Sequence, residues 1–156
     1  MARLTAAWRP SGVQVEILLI EDNPADAQLL EVAAAETGLA DCIHTYETGE
    51  AGLEALEQRL TDSTAPLPDL VLLDLNLPGI DGKAVLKAIR ENHRLTHLPV
   101  VVLTTSDDYT DVVASYELHA NAFITKPLGL DGFVEVVEGI ESFWFALARL
   151  PSERAR

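Results

Sequence analysis

The stretch DLVLLDLNLPGIDG, residues 69–82, decides the fold class of this chain. Apolar residues lead into Asp74, and Pro78-Gly79 interrupts the chain soon afterwards. A short, nearly continuous apolar run that ends at turn-forming residues is typical of a strand covered on both faces. Because an unpaired buried charge is costly, Asp74 must either reach solvent at the end of this strand or lie beside a partner.

Other segments share this apolar character, and helical segments alternate with them. The predicted strands are residues 15–20, 42–46, 70–74, 100–104 and 122–125. The first helix is expected to begin after Asn23-Pro24, a capping residue followed by a proline that suits the first helical position. Five strands alternating with five helices predict an α/β protein with a flavodoxin-like, doubly wound (βα)5 fold and a five-stranded parallel sheet.

Length, charge and composition limit the function classes. The 156 residues fit one domain, predicted at 14–149, with an N-terminal tail at 1–13 and a C-terminal tail at 150–156. A net charge of −14 opposes binding to nucleic acid or to an anionic membrane. The chain has neither a signal peptide pattern nor an apolar run long enough to span a bilayer, so we expect a cytoplasmic protein.

Polar side chains follow most of the predicted strands, where ligands bind in open parallel sheets. Glu21 and Asp22 follow the first strand, Asp74 ends the third, Thr104 ends the fourth and Lys126 follows the fifth. Clustered carboxylates repel one another unless a cation or a proton intervenes, and oxygen ligands of this kind suit Mg²⁺ or Mn²⁺. The set fits Asp74 as a nucleophile that forms an aspartyl phosphate.

Four motifs in this order resemble those of a receiver domain from a two-component response regulator. They are LLIEDNP, LVLLDLNLPGIDG, LPVVVLTTS and FITKPL, and the resemblance covers roughly residues 14 to 142. It implies a phosphoprotein of phosphorelay signal transduction that takes a phosphoryl group from a histidine kinase and loses it slowly by its own hydrolysis. Such a protein is not an enzyme with external turnover.

The resemblance also implies a role for each site residue. Asp74 would be the phosphoacceptor, with Thr104 and Lys126 contacting the phosphoryl group. The implied metal ligands are Asp22, Asp74 and the backbone carbonyl of Asn76, with Glu21 orienting a metal-bound water. Phe123 would be the switch aromatic, and the Lys126–Pro127 peptide bond is expected to be cis. One departure from the family pattern is His119, which stands where many members end the fourth helix with glycine.

Two other classes of protein share parts of this pattern. An aspartate-nucleophile phosphatase of the haloacid-dehalogenase type needs an acid two residues after the nucleophile, where this chain has Asn76. A flavodoxin-like FMN binder needs a phosphate-binding loop after the first strand, where this chain has acids. Since only LPSERAR follows the fifth helix, output is expected through protein contacts, or through a role as an intermediate carrier in a phosphorelay.

Two segments near the carboxyl end narrow the expected partners. SYELHANAFITKPL and FWFALARLP resemble the small response regulators that partner bacterial phytochrome kinases. At 100° per residue, most apolar residues of the fifth helix share one face, which is expected to cover the sheet. Val134 and Phe145 fall outside this face and are expected to be exposed. Exposed aromatic residues there predict a homodimer through the fourth helix, fifth strand and fifth helix.

Overall fold

A computed structural model describes residues 15–39, 42–62, 64–147 and 150–151 of the chain. The five strands are β1 (Ile17–Ile20), β2 (Ile43–Tyr46), β3 (Leu70–Leu73), β4 (Val100–Thr104) and β5 (Ala122–Thr125). The helices are α1 (Pro24–Glu36), α2 (Gly49–Thr61), α3 (Gly82–Glu91), α4 (Tyr109–Glu117) and α5 (Leu130–Ile140), and a π-helical segment, Glu141–Leu147, continues α5. The predicted alternation of strands and helices is confirmed.

All five strands are parallel and pair in the order β2-β1-β3-β4-β5. Helices cover both faces of the sheet. Successive side chains of a strand point to opposite faces, so each strand packs against helices on both sides. Leu19 of β1 packs with the residues of α1 and α5, whereas Ile20 packs with the residues of α2 and α3. The expected doubly wound sheet is therefore present, with its carboxyl edge left for polar side chains.

Local signals in the sequence set the beginnings of the helices. The side chain of Asn23 accepts hydrogen bonds from the backbone N–H groups of Ala25 and Asp26, and Pro24 is the first residue of α1. Asp81 caps α3 by accepting from the N–H of Ala84. These caps fix the beginnings of α1 and α3, the helices that follow β1 and β3 along the chain.

The end of α4 confirms the unusual position of His119. Its φ is 65°, in the left-handed region that favours glycine. The guanidinium of Arg90 supports this turn, since its Nε donates to the carbonyl of His119 at 3.0 Å. Burial lowers the pKa of Arg90, which also donates to the carbonyl of Leu98 and to the side chain of Asn121.

The carboxyl end of α5 differs from the sequence expectation. Val134 and Phe145 were expected outside the covering face, but both are half-buried against the core shared with α1. Phe143 is instead exposed, at 54%, and its ring meets that of Trp144 edge-to-face. The π-helical segment causes this change for Phe145, because its wider turn shifts the angular position of each later side chain relative to an α-helix.

Of the two predicted tails, the structure describes only Leu150 and Pro151. Residues 1–13, predicted as a tail, lie outside the described residues, as do 152–156. Leu150, assigned to the C-terminal tail, is buried. Within the described part of the chain, no helix is both long and apolar enough to cross a bilayer.

Candidate functional site

Three acidic side chains meet at the carboxyl edge of the sheet. Glu21 and Asp22 follow β1, and Asp74 follows β3, the neighbouring strand; Ile20 and Leu73 are paired in register. One carboxylate oxygen from each acid lies within 4.8 Å of those of the other two. Glu21 and Asp74 are buried and Asp22 is exposed. The predicted convergence is therefore present, and Asp74 is not an isolated charge.

Lys126 reaches the same acids from β5, two strands away from β3. Its backbone N–H donates to the carbonyl of Thr104 at 2.7 Å, which continues the pairing of β4 with β5 past their last residues. Its Nζ lies 2.5 Å from Oε1 of Glu21 and 2.9 Å from Oδ2 of Asp74, and its side chain is only 4% exposed. A buried ammonium is tolerated here because carboxylates surround it.

Burial and hydrogen bonding separate the proton affinities of the two buried acids. Burial, with a hydrogen bond to Asp74, raises the pKa of Glu21 to about 8. Burial also acts to raise the pKa of Asp74, but hydrogen bonds from Glu21 and Lys126 outweigh it and lower that pKa below its ordinary value. Glu21 therefore carries the shared proton, and Asp74 stays ionised at neutral pH.

The pKa of Lys126 also reflects two opposing effects, burial and hydrogen bonding. Burial acts to lower the pKa of Lys126, but its bonds to the acidic side chains of Asp26, Glu21 and Asp74 raise that pKa above the usual range. A single fixed ammonium thus faces more carboxylates than its charge can neutralise. The raised pKa of Glu21 is in keeping with an edge of the sheet where acidic groups outnumber the single ammonium.

Thr104 ends β4 and is fully buried beside the acids. Its hydroxyl oxygen accepts two long contacts, 3.4 Å from Nδ2 of Asn76 and 3.5 Å from the N–H of Ser106. Both are at the weak limit of hydrogen-bond geometry, so these contacts hold the hydroxyl loosely. Asn76 also donates its backbone N–H to Oδ1 of Asp74 at 3.1 Å.

Two further predictions concern β5 and the residues after it. Phe123 is half-buried on β5 and packs against the core on the side of α2 and α3. The predicted cis bond between Lys126 and Pro127 is wrong, because no cis peptide bond occurs in the described residues. The trans form is the intrinsically preferred one even before proline. Lys126 reaches Asp74 from this trans backbone, so its aim does not require the cis form.

Two features of the site were missed from the sequence. Asp26, in the first turn of α1, places Oδ2 2.8 Å from Nζ of Lys126. Lys83 of α3 and Asp111 of α4 form an ion pair of 2.5 Å, and Asp111 also accepts from the hydroxyl of Ser106. The available signal was position, since each is a charged residue in the first turn of a helix that begins at this edge of the sheet.

A cavity of about 540 Å³ lies beside the acids and marks the accessible side of the site. Its lining comes from the ends of β1 and β3 and from the first turns of α3 and α4, and it includes Asp22, Asn76, Asp81, Lys83 and Asp111. A reacting group approaching the site from solvent would enter along this side.

This fold and site together define a receiver module, in which a strand-end aspartate lies among acids, a hydroxyl and a lysine. The chain belongs to the response regulator receiver domain family, whose model matches residues 17–138. Among curated relatives, response regulator Rcp1 of Synechocystis sp. is 43% identical over 136 residues, which are 87% of this chain and 92% of that protein.

Solved structures agree with this assignment. The Mn(2+)-bound form of response regulator Rcp1 matches with a TM-score of 0.76 at 43% identity, covering 88% of this chain and 99% of that one. The phosphorylated cyanobacterial phytochrome response regulator RcpA matches with a TM-score of 0.80 at 42% identity, covering 88% and 98%. The predicted family and fold are thereby confirmed.

Proposed function

We propose that this receiver domain accepts a phosphoryl group on Asp74 from a sensor histidine kinase. The observation that carries the proposal is the environment of the Asp74 carboxylate, which is buried 2.9 Å from the ammonium of Lys126 and whose pKa is lowered by hydrogen bonds from Glu21 and Lys126. A nucleophile must carry a lone pair that is not protonated, and Asp74 meets this condition at neutral pH.

The residues present fit a divalent cation, Mg²⁺ or Mn²⁺. Glu21, Asp22 and Asp74 offer oxygen ligands close together, and a cation would offset the repulsion between these acids that raises the pKa of Glu21. The backbone carbonyl of Asn76 is the proposed further ligand, and the crystal structure of the Mn(2+)-bound form of Rcp1 supports a metal site by similarity. When bound, the cation would neutralise charge on the phosphoryl oxygens.

The side chains of this chain then have distinct roles in the transfer. A carboxylate oxygen of Asp74 attacks the phosphorus of a phosphohistidine; the new O–P bond forms as the N–P bond breaks, and the imidazole leaves. Lys126 moves its ammonium from the Asp74 carboxylate to an oxygen of the transferred group. The Thr104 hydroxyl, held only by long contacts, is free to donate to another phosphoryl oxygen.

Thr104 and Phe123 are the proposed switch. Movement of Thr104 toward the phosphoryl group would open space behind it, and the half-buried ring of Phe123 would turn inward to fill that space. Phe has no hydroxyl to satisfy, so the buried position is readily accepted. The surface formed by α4, β5 and α5 would change in response, as a shift between two populated packings.

The proposed partner is a bacterial phytochrome kinase, which would phosphorylate the chain in the cytoplasm. Support comes from relatives, since RcpA is described as a cyanobacterial phytochrome response regulator and RtBRR as a bacteriophytochrome response regulator. A role as an intermediate carrier in a phosphorelay uses the same chemistry and remains an alternative. Turnover as a phosphatase is disfavoured, because Asn76 has no acidic proton to give.

We also propose a homodimer through α4, β5 and α5, without a nucleic-acid or membrane partner. Aromatic side chains are exposed on α4 and on the π-helical segment that continues α5: Tyr109 at 79%, Tyr116 at 49% and Phe143 at 54%. Exposed aromatic residues are typical of protein interfaces. The patch overlaps the surface that the proposed switch would alter, so phosphorylation would change the dimer affinity.

The proposed chemistry is tested with a small phosphoryl donor such as acetyl phosphate. We expect wild type to become labelled with Mg²⁺ and to remain unlabelled with EDTA, and we expect Asp74→Asn to remain unlabelled in both. The matched control is Asp107→Asn, which removes an exposed carboxylate from the β4–α4 loop and should label like wild type. Full labelling of Asp74→Asn would contradict the assignment.

A further inference from the structure

One of the three acids around Lys126 does not belong to the candidate metal ligands. The Nζ atom of Lys126 contacts Glu21 at 2.5 Å, Asp26 at 2.8 Å and Asp74 at 2.9 Å. Glu21 and Asp74 are also members of the acidic cluster with Asp22, whereas Asp26 is not. An ammonium has three N–H donors, so each of these carboxylates occupies one of them.

The position of Asp26 is set by the start of α1. Asn23 caps the helix by accepting from the N–H of Asp26, and this fixes the first turn beside the end of β1. The Asp26 side chain is 21% exposed, against 4% for that of Lys126. It therefore reaches from the solvent side of the site to an ammonium that is otherwise enclosed.

We propose that Asp26 is a positioning residue for Lys126, which keeps the ammonium beside Asp74 when a divalent cation takes the carboxylates of Glu21 and Asp74. The metal step rests on the proposed function; the contact between Asp26 and Lys126 does not. Glu21 and Asp74 cannot give the same lone pairs both to the ammonium and to a cation. Asp26 is the partner that Lys126 can retain while the other two are released.

Under this arrangement, loss of Asp26 should weaken the binding of Mg²⁺. Without it, Lys126 would bind more fully to Glu21 and Asp74, and a cation would have to displace it from both. Removal of one negative charge near the acids also weakens cation binding. We therefore expect Asp26→Asn to bind Mg²⁺ about twofold to fivefold more weakly than wild type, the range of a partly exposed ion pair.

The matched control is Asp131→Asn. Asp131 is an exposed carboxylate in the first turn of α5, which begins shortly after Lys126, so the control also removes one negative charge from the first turn of a helix. Any general effect of a first-turn acid on helix stability is shared by the two variants. Asp26→Ser supplies a second, smaller replacement in case the amide introduced by Asp26→Asn still accepts from Lys126.

The experiment uses the full chain with two measurements. In metal-free protein, the exchange of the Lys126 ammonium protons with water is followed by ¹⁵N NMR, and the signal is assigned with Lys126→Arg. The second measurement is a Mg²⁺ titration monitored by backbone amide shifts. We expect both Asp26 variants to exchange faster and to bind Mg²⁺ more weakly, while Asp131→Asn matches wild type.

Two results would overturn the proposal. Exchange rates and Mg²⁺ affinities equal to those of Asp131→Asn would show that Asp26 does not hold Lys126. Faster exchange with unchanged or tighter Mg²⁺ binding would refute the handover from the metal ligands. Neither measurement involves phosphoryl transfer, so failure of Asp74 to accept a phosphoryl group would be recognised separately.

Discussion

Gly82 lies against the backbone of Asp74. A Cβ atom added to Gly82 would overlap the carbonyl oxygen of Asp74 and would stand 2.6 Å from Cα of Leu75. The N–H of Gly82 also donates to the carbonyl of Leu75 at 2.9 Å. The first residue of α3 is therefore packed directly on the loop that carries the proposed phosphoacceptor, with no room for a side chain.

Gly82→Ala should destabilise the domain by about 1–3 kcal/mol, because backbone atoms around Asp74 must move to admit the methyl group. The measurement is urea unfolding followed by circular dichroism. The control is Gly139→Ala in α5, where nothing lies within 4 Å of the added atom. That change should stabilise by about 0.4–1 kcal/mol. Equal stability of the two variants would contradict the packing described here.

His119→Gly should stabilise the domain by roughly 1 kcal/mol, because His119 adopts a φ of 65° that glycine accepts without strain. The side chain of His119 is exposed, so little packing is lost. The urea midpoint should rise with an unchanged slope. His119→Ala is the control and should give no stabilisation; a glycine variant less stable than wild type would oppose this interpretation.

The sequence was sufficient for the fold and for most of the site because both depend on local patterns and on one rule of topology. The apolar run before Asp74 predicts a buried strand, and Asn23-Pro24 predicts the start of α1. Parallel strands bring their carboxyl ends to one edge, so Asp74 and Lys126 could be placed together although they are 52 residues apart.

The remaining contacts depend on side-chain direction, which sequence spacing does not give. Asp26 was visible only as a first-turn acid, and its contact with Lys126 depends on how the first turn of α1 lies against the end of β5. The exposure of Phe143 depends on a π-helical turn after Ile140. A prediction based on 100° per residue fails once that turn begins.

The stability of metal-free protein should fall between pH 5 and pH 8.5 in part because of Glu21. Its pKa is about 8 in the folded state and 4.5 in an unperturbed carboxyl, so the unfolded chain releases this proton first. The folded state is then penalised as pH rises through this window. Asp74 has a lowered pKa and titrates below this range.

Glu21→Gln removes the titrating group, so its stability should fall less over the same interval. The comparison requires urea unfolding of both proteins in EDTA at the two pH values. Groups distant from Glu21 contribute equally to both proteins, so the difference reports on Glu21 and on Asp74 and Lys126, which are hydrogen-bonded to it. A wild-type loss equal to that of Glu21→Gln would show that the carboxyl is not held in its protonated form.

Phe143→Asp should weaken the proposed homodimer, because it places a charge on an exposed aromatic position. Sedimentation at tens of micromolar, with and without a phosphoryl mimic, measures the association, since weak interfaces associate at about this concentration. The control is Val32→Asp, which charges an exposed apolar residue on α1. Wild type that stays monomeric in both states would rule out the dimer.

The central claim is that Asp74 itself receives the phosphoryl group, and chemical trapping tests it most directly. Protein phosphorylated with Mg²⁺ is treated with borohydride, which reduces an aspartyl phosphate to homoserine, and peptides are sequenced by mass spectrometry. We predict homoserine at residue 74, and none at that position in protein incubated with EDTA. Homoserine at Asp22 or another carboxylate, with residue 74 unchanged, would contradict the account.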